Sequence, residues 1–507
     1  MRAALGVVLS VWLLGLAPAA VERPLAIGSR KQLFLDRRLI ADARGVELSF
    51  NPPQHFPSNL LPAERPWERG RLGAYASVLE DDGRYRMYYN SFDARYESEY
   101  LCVALSDDGV RWTRPRVGTI EHEGARDNNI VGVGVRGRVF IDPFDAPARR
   151  YKLLTRIDAE DPRWPLTKGS RRLDATYLLT SADGFSWERV EEPVLQFHTA
   201  AVSDVFFDDL AGRWAVYMRG SLPDTGSAAY ARIEVPRDGL ARPFSVLPGT
   251  RAAERGRAVD LRGEAPFVFQ TDANDSVGAH VYTLYAHRYG WADAAYVAFP
   301  SIWYSRRPSL GGLSDPTASD GMEMQFAFSH DGIAWRRPFR RSIVPAWLEA
   351  GPNGVDQVYC GGMVRHRDEV VVYYSRVAGR HLLDDWKPLG RLASIGRVVF
   401  RLDGFVSADA TEAGGELTTP VLDFEGRRLE LNAWTGAGGW IEVALLDEKR
   451  QPLPEFGPRQ AIRLAGNSVR HVAAWKRGSD VGALAGRPVR VRIALRDAKL
   501  FALQFVP

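Results

Sequence analysis

A seven-residue motif recurs along roughly the first two thirds of the chain and limits what it can fold into. Ser106-Asp107-Asp108-Gly109-Val110-Arg111-Trp112 is one copy, Ser181-Ala182-Asp183-Gly184-Phe185-Ser186-Trp187 a second, and Ser329-His330-Asp331-Gly332-Ile333-Ala334-Trp335 a third. Successive copies start 75 and 148 residues apart, one period and two. A degenerate copy stands at Arg237-Asp238-Gly239-Leu240. Repeats of this length signal solenoids, arrays or propellers. Each copy follows a strand-like run, at residues 100–105, 175–180 and 324–328. The Asp-Gly pair then reverses the chain: Gly supplies the positive φ and the Asp side chain caps the turn. These aspartates are expected to be turn formers, not reactive groups.

A second pattern, strand, turn, Arg-aromatic, strand, precedes the motif. It is seen at residues 79–89, 140–154 and 206–218, and more loosely at 363–374. Two long strands, a strand ending in the Asp-Gly turn and a short outer strand make one four-stranded propeller blade. Residues 70–405 divide into five such units of roughly 65–70 residues. From about Leu417 the texture changes to alternating strands at 428–433, 439–446, 460–463, 471–475, 489–495 and 500–505, with no further motif. The expected fold is all-β: a five-bladed β-propeller over 70–405, then an antiparallel β-sandwich over 406–507. Residues 21–69 are expected to be an N-terminal segment packed on the propeller.

Composition narrows the function classes. A chain of 507 residues that is 45% hydrophobic and 25% charged is globular. Lys+Arg 66 against Asp+Glu 62 leaves +4, with no basic run, so no nucleic-acid partner is expected. Met1-Arg2, the apolar stretch 5–16 and Ala17-Pro18-Ala19 read as a signal peptide over residues 1–20. The expected location is periplasmic or extracellular, with no membrane span. Cys102 and Cys360 are expected to be buried free thiols, with a single disulfide as the alternative.

The S-x-D-G-x-x-W hairpin is similar to the repeat of the five-bladed propeller glycosidases, glycoside hydrolase families 32, 43 and 68. It differs from the sialidase Asp-box by one residue before the Gly. Across nearly the whole mature chain the sequence resembles a bacterial branch labelled family-32-like. The matching stretches are 32–40 (QLFLDRRLI), 127–131 (DNNIV), 281–283 with 299–301 (VYT, FPS), 401–405 (RLDGF) and 497–501 (DAKLF). The resemblance implies a glycosidase acting at one mouth of the propeller channel through paired carboxylates. Such chemistry protonates a leaving oxygen while the oxocarbenium-like centre is attacked. It also implies that the C-terminal sandwich is the accessory one. The family's W-x-N-D-P, Arg-Asp-Pro and Glu-Cys motifs are not found, so its catalytic set does not transfer residue by residue.

Candidate residues are those at the starts of the inner strands. Asp204 and Asp356 each open an apolar strand, where a carboxylate is unusual unless paired or functional. Glu68 and Asp127 lie upstream of the first and second blades and are candidates for a third catalytic group; a solvated loop charge and a turn cap are the alternatives. Asn129, Arg219, His280, Trp67 and Trp303 are candidate substrate-binding residues, the aromatics by stacking on sugar faces. His198 and His287 read as structural. No metal-ligand or dinucleotide motif fits its required context, so no cofactor is expected, and a structural calcium ion in the channel stays open. Two rivals to a glycosidase are a non-catalytic carbohydrate-binding propeller and a cell-envelope scaffold. The sugar, the linkage and the oligomeric state are not encoded in any motif.

Overall fold

The computed structural model describes residues 23–56, 60–72, 75–93, 98–157, 175–195, 204–221, 228–244, 267–305, 319–346, 356–380 and 393–507. Residues 1–20, expected to be a signal peptide, and His198 lie outside these. Among the described residues the regular structure is β-strand with short 3-10 turns, and no helix is long and apolar enough to cross a membrane.

Five antiparallel meanders follow one another, each called a sheet although the parallel Met322–Gln357 pairing joins the last two into one of eight strands. The first has Ser77–Asp81, Arg84–Phe92, Glu99–Ser106 and Ile130–Val133, with Arg71–Leu72 paired to the far end of Arg84–Phe92. The second runs Val139–Ile141, Tyr151–Ile157, Ala175–Ser181, Glu188–Arg189, and the third Asp204–Asp208, Arg213–Ser221, Ala228–Pro236, Phe267–Phe269. The fourth has Ala279–Arg288 and Tyr296–Tyr304, with Met322–Met324 and Ala327–Ser329 sharing its third position. The fifth has Asp356–His366, Glu369–Ala378 and Ser394–Arg401, and its outer strand is Gln54–Phe56, from the other end of the chain.

These sheets touch in cyclic order. Val139 N–H donates to Ser77 Oγ (3.1 Å), and the Phe140 and Trp214 rings meet at 5.6 Å. Ala286 N–H donates to Asp204 Oδ2 (2.7 Å), Met322 pairs with Gln357, and Tyr373 Oη–H donates to the Gly109 carbonyl (2.7 Å).

The repeated motif acts as the fastener between these sheets. In each copy the Asp Oδ1 accepts two backbone N–H groups, those of Val110 and Arg111, Phe185 and Ser186, or Ile333 and Ala334, all at 2.7–2.9 Å. The Ser Oγ accepts the Gly N–H. Gly109, Gly184 and Gly332 have φ of +70°, +79° and +70°. A Cβ on them would also strike the hydroxyls of Tyr373, Tyr88 and Tyr217, each from the preceding sheet. The motif tryptophans Trp112, Trp187 and Trp335 pack edge-on against those same tyrosines, at 5.8, 6.3 and 6.1 Å. Turn and contact requirements therefore coincide in seven residues. The expectation that these aspartates serve turns agrees with this geometry.

Two expectations change. Residues 25–50 pack on the five sheets, with Leu33 and Leu35 in one core with Phe299, Phe326 and Val358 and Asp36 paired with Arg336, but their strands belong to the C-terminal sheet. Leu25–Gly28 pairs with Leu422–Phe424, and Gln32–Leu33, Asp42–Arg44 and Glu47–Phe50 enter the C-terminal sheet beside Arg490–Val506, Gly415–Thr418 and Val406–Ala410. Their apolar side chains Ile27, Phe34 and Leu39 are completely covered by that sheet's core. Likewise the separate strands expected at 428–433 and 439–446 form one, Arg428–Leu446, and those at 489–495 and 500–505 form Arg490–Val506. The two pair along their whole length, with bulges absorbing the glycine-rich stretch after Thr435. Residues 460–463 form only isolated bridges. Cys102 and Cys360 are both free and buried, and burial pushes both thiols up.

Candidate functional site

Arg138, immediately before the second inner strand, reaches across the axis of the five sheets. Its Nη1 donates to the Ala76 carbonyl (3.1 Å) and its Nη2 to the Cys360 carbonyl (2.7 Å), in the first and fifth sheets. Its Nε lies 3.3 Å from Asp204 Oδ1. Asp204 passes the connection to the fourth sheet by accepting Ala286 N–H. One ion pair thus touches all five sheets. Asp204 is only 2% exposed, and burial raises its carboxyl to about 6 against the attraction of Arg138 and the hydrogen bond from Ala286. Both of its oxygens are already engaged. Beyond it, toward the ends of the inner strands, lies a cavity of about 310 Å³ lined by Asp204, Tyr285, His287, Trp214, Trp291 and Met363. Burial holds His287 down at about 4, so it is neutral there, as a structural histidine would be.

The other end of the axis, where the inner strands begin, is different. Tyr75, Tyr282 and Tyr359 come from three inner strands or their approaches, with ring centroids 5.6 Å apart for Tyr75–Tyr359 and 5.9 Å for Tyr282–Tyr359. Tyr75 and Tyr282 are half-buried. Arg219 lies over Tyr282, its Cζ 4.7 Å from the ring centroid. Arg71 donates a hydrogen bond to Tyr359, whose own hydroxyl donates to Gln357 Oε1 (2.7 Å). Arg136 pairs with Glu99 at 2.6 Å.

His280 and Arg219 carry the main signal here. His280 is 1% exposed, and neither ring nitrogen has a hydrogen-bond partner. Burial and the positive Arg219 hold it below the usual imidazole range, so it is neutral at pH 7. Arg219 is 8% exposed, and among the described residues its guanidinium makes no ion pair or hydrogen bond. Unpaired buried polar groups cost roughly 1–3 kcal/mol each, and a buried charge more. A cation–π contact offsets only about 0.5–2 kcal/mol of this. Such groups persist where a ligand completes them.

The other expected site residues disperse. Glu68 is fully buried and accepts from Tyr89 Oη–H (2.7 Å), from Arg114 Nε and Nη2 (2.8 and 2.9 Å) and from the N–H groups of Glu64 and Arg65. It locks the loop before the first sheet and has no capacity left for chemistry. Asn129 accepts from Trp67 Nε1–H (3.0 Å) and donates to Tyr89 Oη and the Val103 carbonyl. Both residues therefore belong to that same lock and not to a sugar site. Asp127 is a surface charge, its side chain 62% exposed and paired with Arg116 at 2.9 Å. Trp303 is buried behind His280, with rings 5.4 Å apart, so it backs the histidine and has no face open to a sugar. Asp356 opens the fifth inner strand and accepts from Arg376 Nε (2.7 Å). It lies four residues before Cys360, whose carbonyl meets Arg138. No two of the four expected carboxylates are joined by a contact among the described residues. Sequence reasoning missed Arg138, Tyr75, Tyr282 and Tyr359. The signal was available: an x-Tyr-small triplet opens the first, fourth and fifth inner strands, at 74–76, 281–283 and 358–360.

The chain is similar to several solved structures. One is a glycoside hydrolase at 13% identity and TM-score 0.42, covering 68% of this chain and 92% of that one. Another is a thermostable family-43 glycoside hydrolase at 12% and 0.41, covering 70% and 96%. A third is the catalytic domain of the Coprinopsis cinerea GH62 α-L-arabinofuranosidase at 12% and 0.39, covering 69% and 97%. The families named in these are 43 and 62, not 32. No family model and no curated protein matches the sequence.

Proposed function

We propose that the chain is an exported, glycosidase-like carbohydrate protein that binds a poly- or oligosaccharide at the strand-start mouth and cleaves its glycosidic bonds there. In this reading the five sheets are a five-bladed propeller closed by Gln54–Phe56, and the C-terminal strands with residues 25–50 form a sandwich. Export rests on the pattern of residues 1–20. The observation that carries the reading is buried His280, with neither ring nitrogen partnered, and buried Arg219, with no acceptor among the described residues, beside the half-buried rings of Tyr75 and Tyr282. Sugar sites combine a few fixed polar groups with apolar ring faces in this way. Asp356, which opens the fifth inner strand three residues before Tyr359 and pairs with Arg376, is the carboxylate to which the reading assigns chemistry.

The engagement of Asp204 and Glu68 elsewhere favours a second reading, a propeller that binds carbohydrate without turnover. The test is product release from fructans, arabinans, xylans and acidic polysaccharides by wild type and Asp356→Asn, with binding measured alongside. Release abolished in Asp356→Asn supports the glycosidase and its carboxylate. Release unchanged keeps the enzyme and removes Asp356. Binding without release selects the second reading, and neither binding nor release overturns the carbohydrate assignment.

A further inference from the structure

Arg219 differs from the other buried arginines near the axis in having no acceptor among the described residues. Arg138 meets two carbonyls and Asp204; Arg232 meets Asp208 Oδ2 at 2.7 Å; Arg376 meets Asp356 at 2.7 Å. Arg219 has only the face of Tyr282 among the described residues, although it is 8% exposed. A guanidinium does not escape by losing its proton in a protein. Its planar fork matches a carboxylate or a sulfate with two parallel hydrogen bonds. Neutral sugar hydroxyls satisfy its hydrogen bonds and leave its charge unbalanced.

The surroundings point the same way. The tyrosine cluster lies within the electrostatic reach of three guanidiniums: Tyr75 of Arg136 and Arg71, and Tyr359 of Arg71 and Arg219. The carboxylate nearest to Arg136 is Glu99, already its ion-pair partner, and Asp356 is held by Arg376. His280, neutral and with both nitrogens unpartnered, offers one further N–H donor close to Arg219.

We infer that the strand-start mouth recognises an anionic group of the glycan, a uronate carboxylate or a sulfate ester, with Arg219 as its charge partner and His280 as a neutral donor beside it. This rests on the carbohydrate reading above and adds the substrate class. An acidic sugar placed here supplies the missing counter-charge, and the half-buried Tyr75 and Tyr282 rings cover its apolar face.

The test is calorimetric titration of the full chain with three probes of similar length: oligogalacturonate, sulfated galactan oligosaccharide and neutral galactan oligosaccharide. Wild type is expected to bind one acidic probe at least tenfold tighter than the neutral one, and to lose most of that preference in high salt. Arg219→Gln abolishes the preference, whereas Arg219→Lys keeps charge and retains part of it. Whether the carboxylate or the sulfate probe binds names the source of the anion. Equal binding of neutral and acidic probes, or an acidic preference untouched in Arg219→Gln, overturns the inference and leaves the carbohydrate reading standing. Binding of none of the three overturns the inference, and failure across the wider neutral panel then removes the carbohydrate reading as well. If Arg219→Gln does not fold, the Lys variant and the salt dependence of wild type still decide.

Discussion

At the strand-end face of the five sheets, Asp108, Asp183 and Asp331 each accept two backbone N–H groups, and Asp81 and Asp208 each hold an arginine and a tyrosine hydroxyl. At the strand-start face, His280 and Arg219 are as deeply covered as Asp81 and Asp208; neither His280 nitrogen has a hydrogen-bond partner, and Arg219 has only the Tyr282 ring among the described residues. The strand-end face has orphans too: Trp112 Nε1, Trp187 Nε1 and the Tyr88 hydroxyl are neutral, while Arg232 Nε and Arg288 Nε belong to guanidiniums that have Asp208 and Asp209 as counter-ions. A lone neutral donor is tolerated at modest cost. A buried guanidinium with an empty imidazole beside it is a different order of imbalance. One face holds the circle of sheets together, and the other is the one to which the proposed function assigns the saccharide.

The sharpest way to break this comparison is to remove the ion pair that separates the two faces. Arg138→Met deletes donors to Ala76 and Cys360 and strands the Asp204 carboxylate, at an expected cost of about 3–5 kcal/mol in urea unfolding at neutral pH. The loss depends on pH in a definite direction. Asp204 titrates at about 6 in the fold, above the ordinary 3.8, so the folded state holds the extra proton between the two values. Its contribution is fully present below about pH 4 and is lost as pH rises through 6. Arg138 restrains that loss. Without it the folded carboxyl rises further, so the deficit of Arg138→Met should be larger at pH 8 than at pH 5. Equal deficits at both would show that Arg138 does not compensate Asp204.

Gly184→Ala tests the strand-end face itself. The residue sits at φ +79°, and a Cβ would lie 2.2 Å from the Tyr88 hydroxyl. Left-handed strain and displacement of that tyrosine together predict a loss of about 2–3 kcal/mol. A melting temperature unchanged from wild type would mean that the motif does not fasten the first sheet to the second.

What was legible in the sequence follows the same division. The strand-end face could be read because Ser106, Asp108, Gly109 and Trp112 each have a local reason to be there, and the reasons repeat in the next copies. The closing strand Gln54–Phe56 and the pairing of residues 25–50 with the C-terminal sheet could not, since their partners lie hundreds of residues away and nothing local names them. The candidate site was half legible. His280 and Arg219 stood out as polar groups in apolar strands. Glu68 and Asn129 stood out as polar residues just ahead of the first two blades, and only their partners Arg114, Tyr89 and Trp67 reveal that they serve packing. Sequence shows that a polar group is buried; whether it is satisfied depends on residues that only the fold brings near.

The smallest expected effect sharpens the comparison most, because its sign is informative. Arg219 and Arg232 are buried to a similar degree, at 8% and 6% exposure, and both stack on tyrosines, Tyr282 and Tyr217. They differ in that Arg232 has Asp208 at 2.7 Å. Replacing Arg232 by Met strands a carboxylate and should cost about 3 kcal/mol or more. Replacing Arg219 by Met removes a charge that has no counter-ion, at the loss of one cation–π contact. Its stability should stay within about 1 kcal/mol of wild type, or rise, because a group held ready for a ligand lowers the stability of the free protein. Saccharide binding should fall in Arg219→Met all the same. A loss of stability in Arg219→Met matching that of Arg232→Met would mean that Arg219 is a structural residue and that the strand-start face is no more prepared for a ligand than the other.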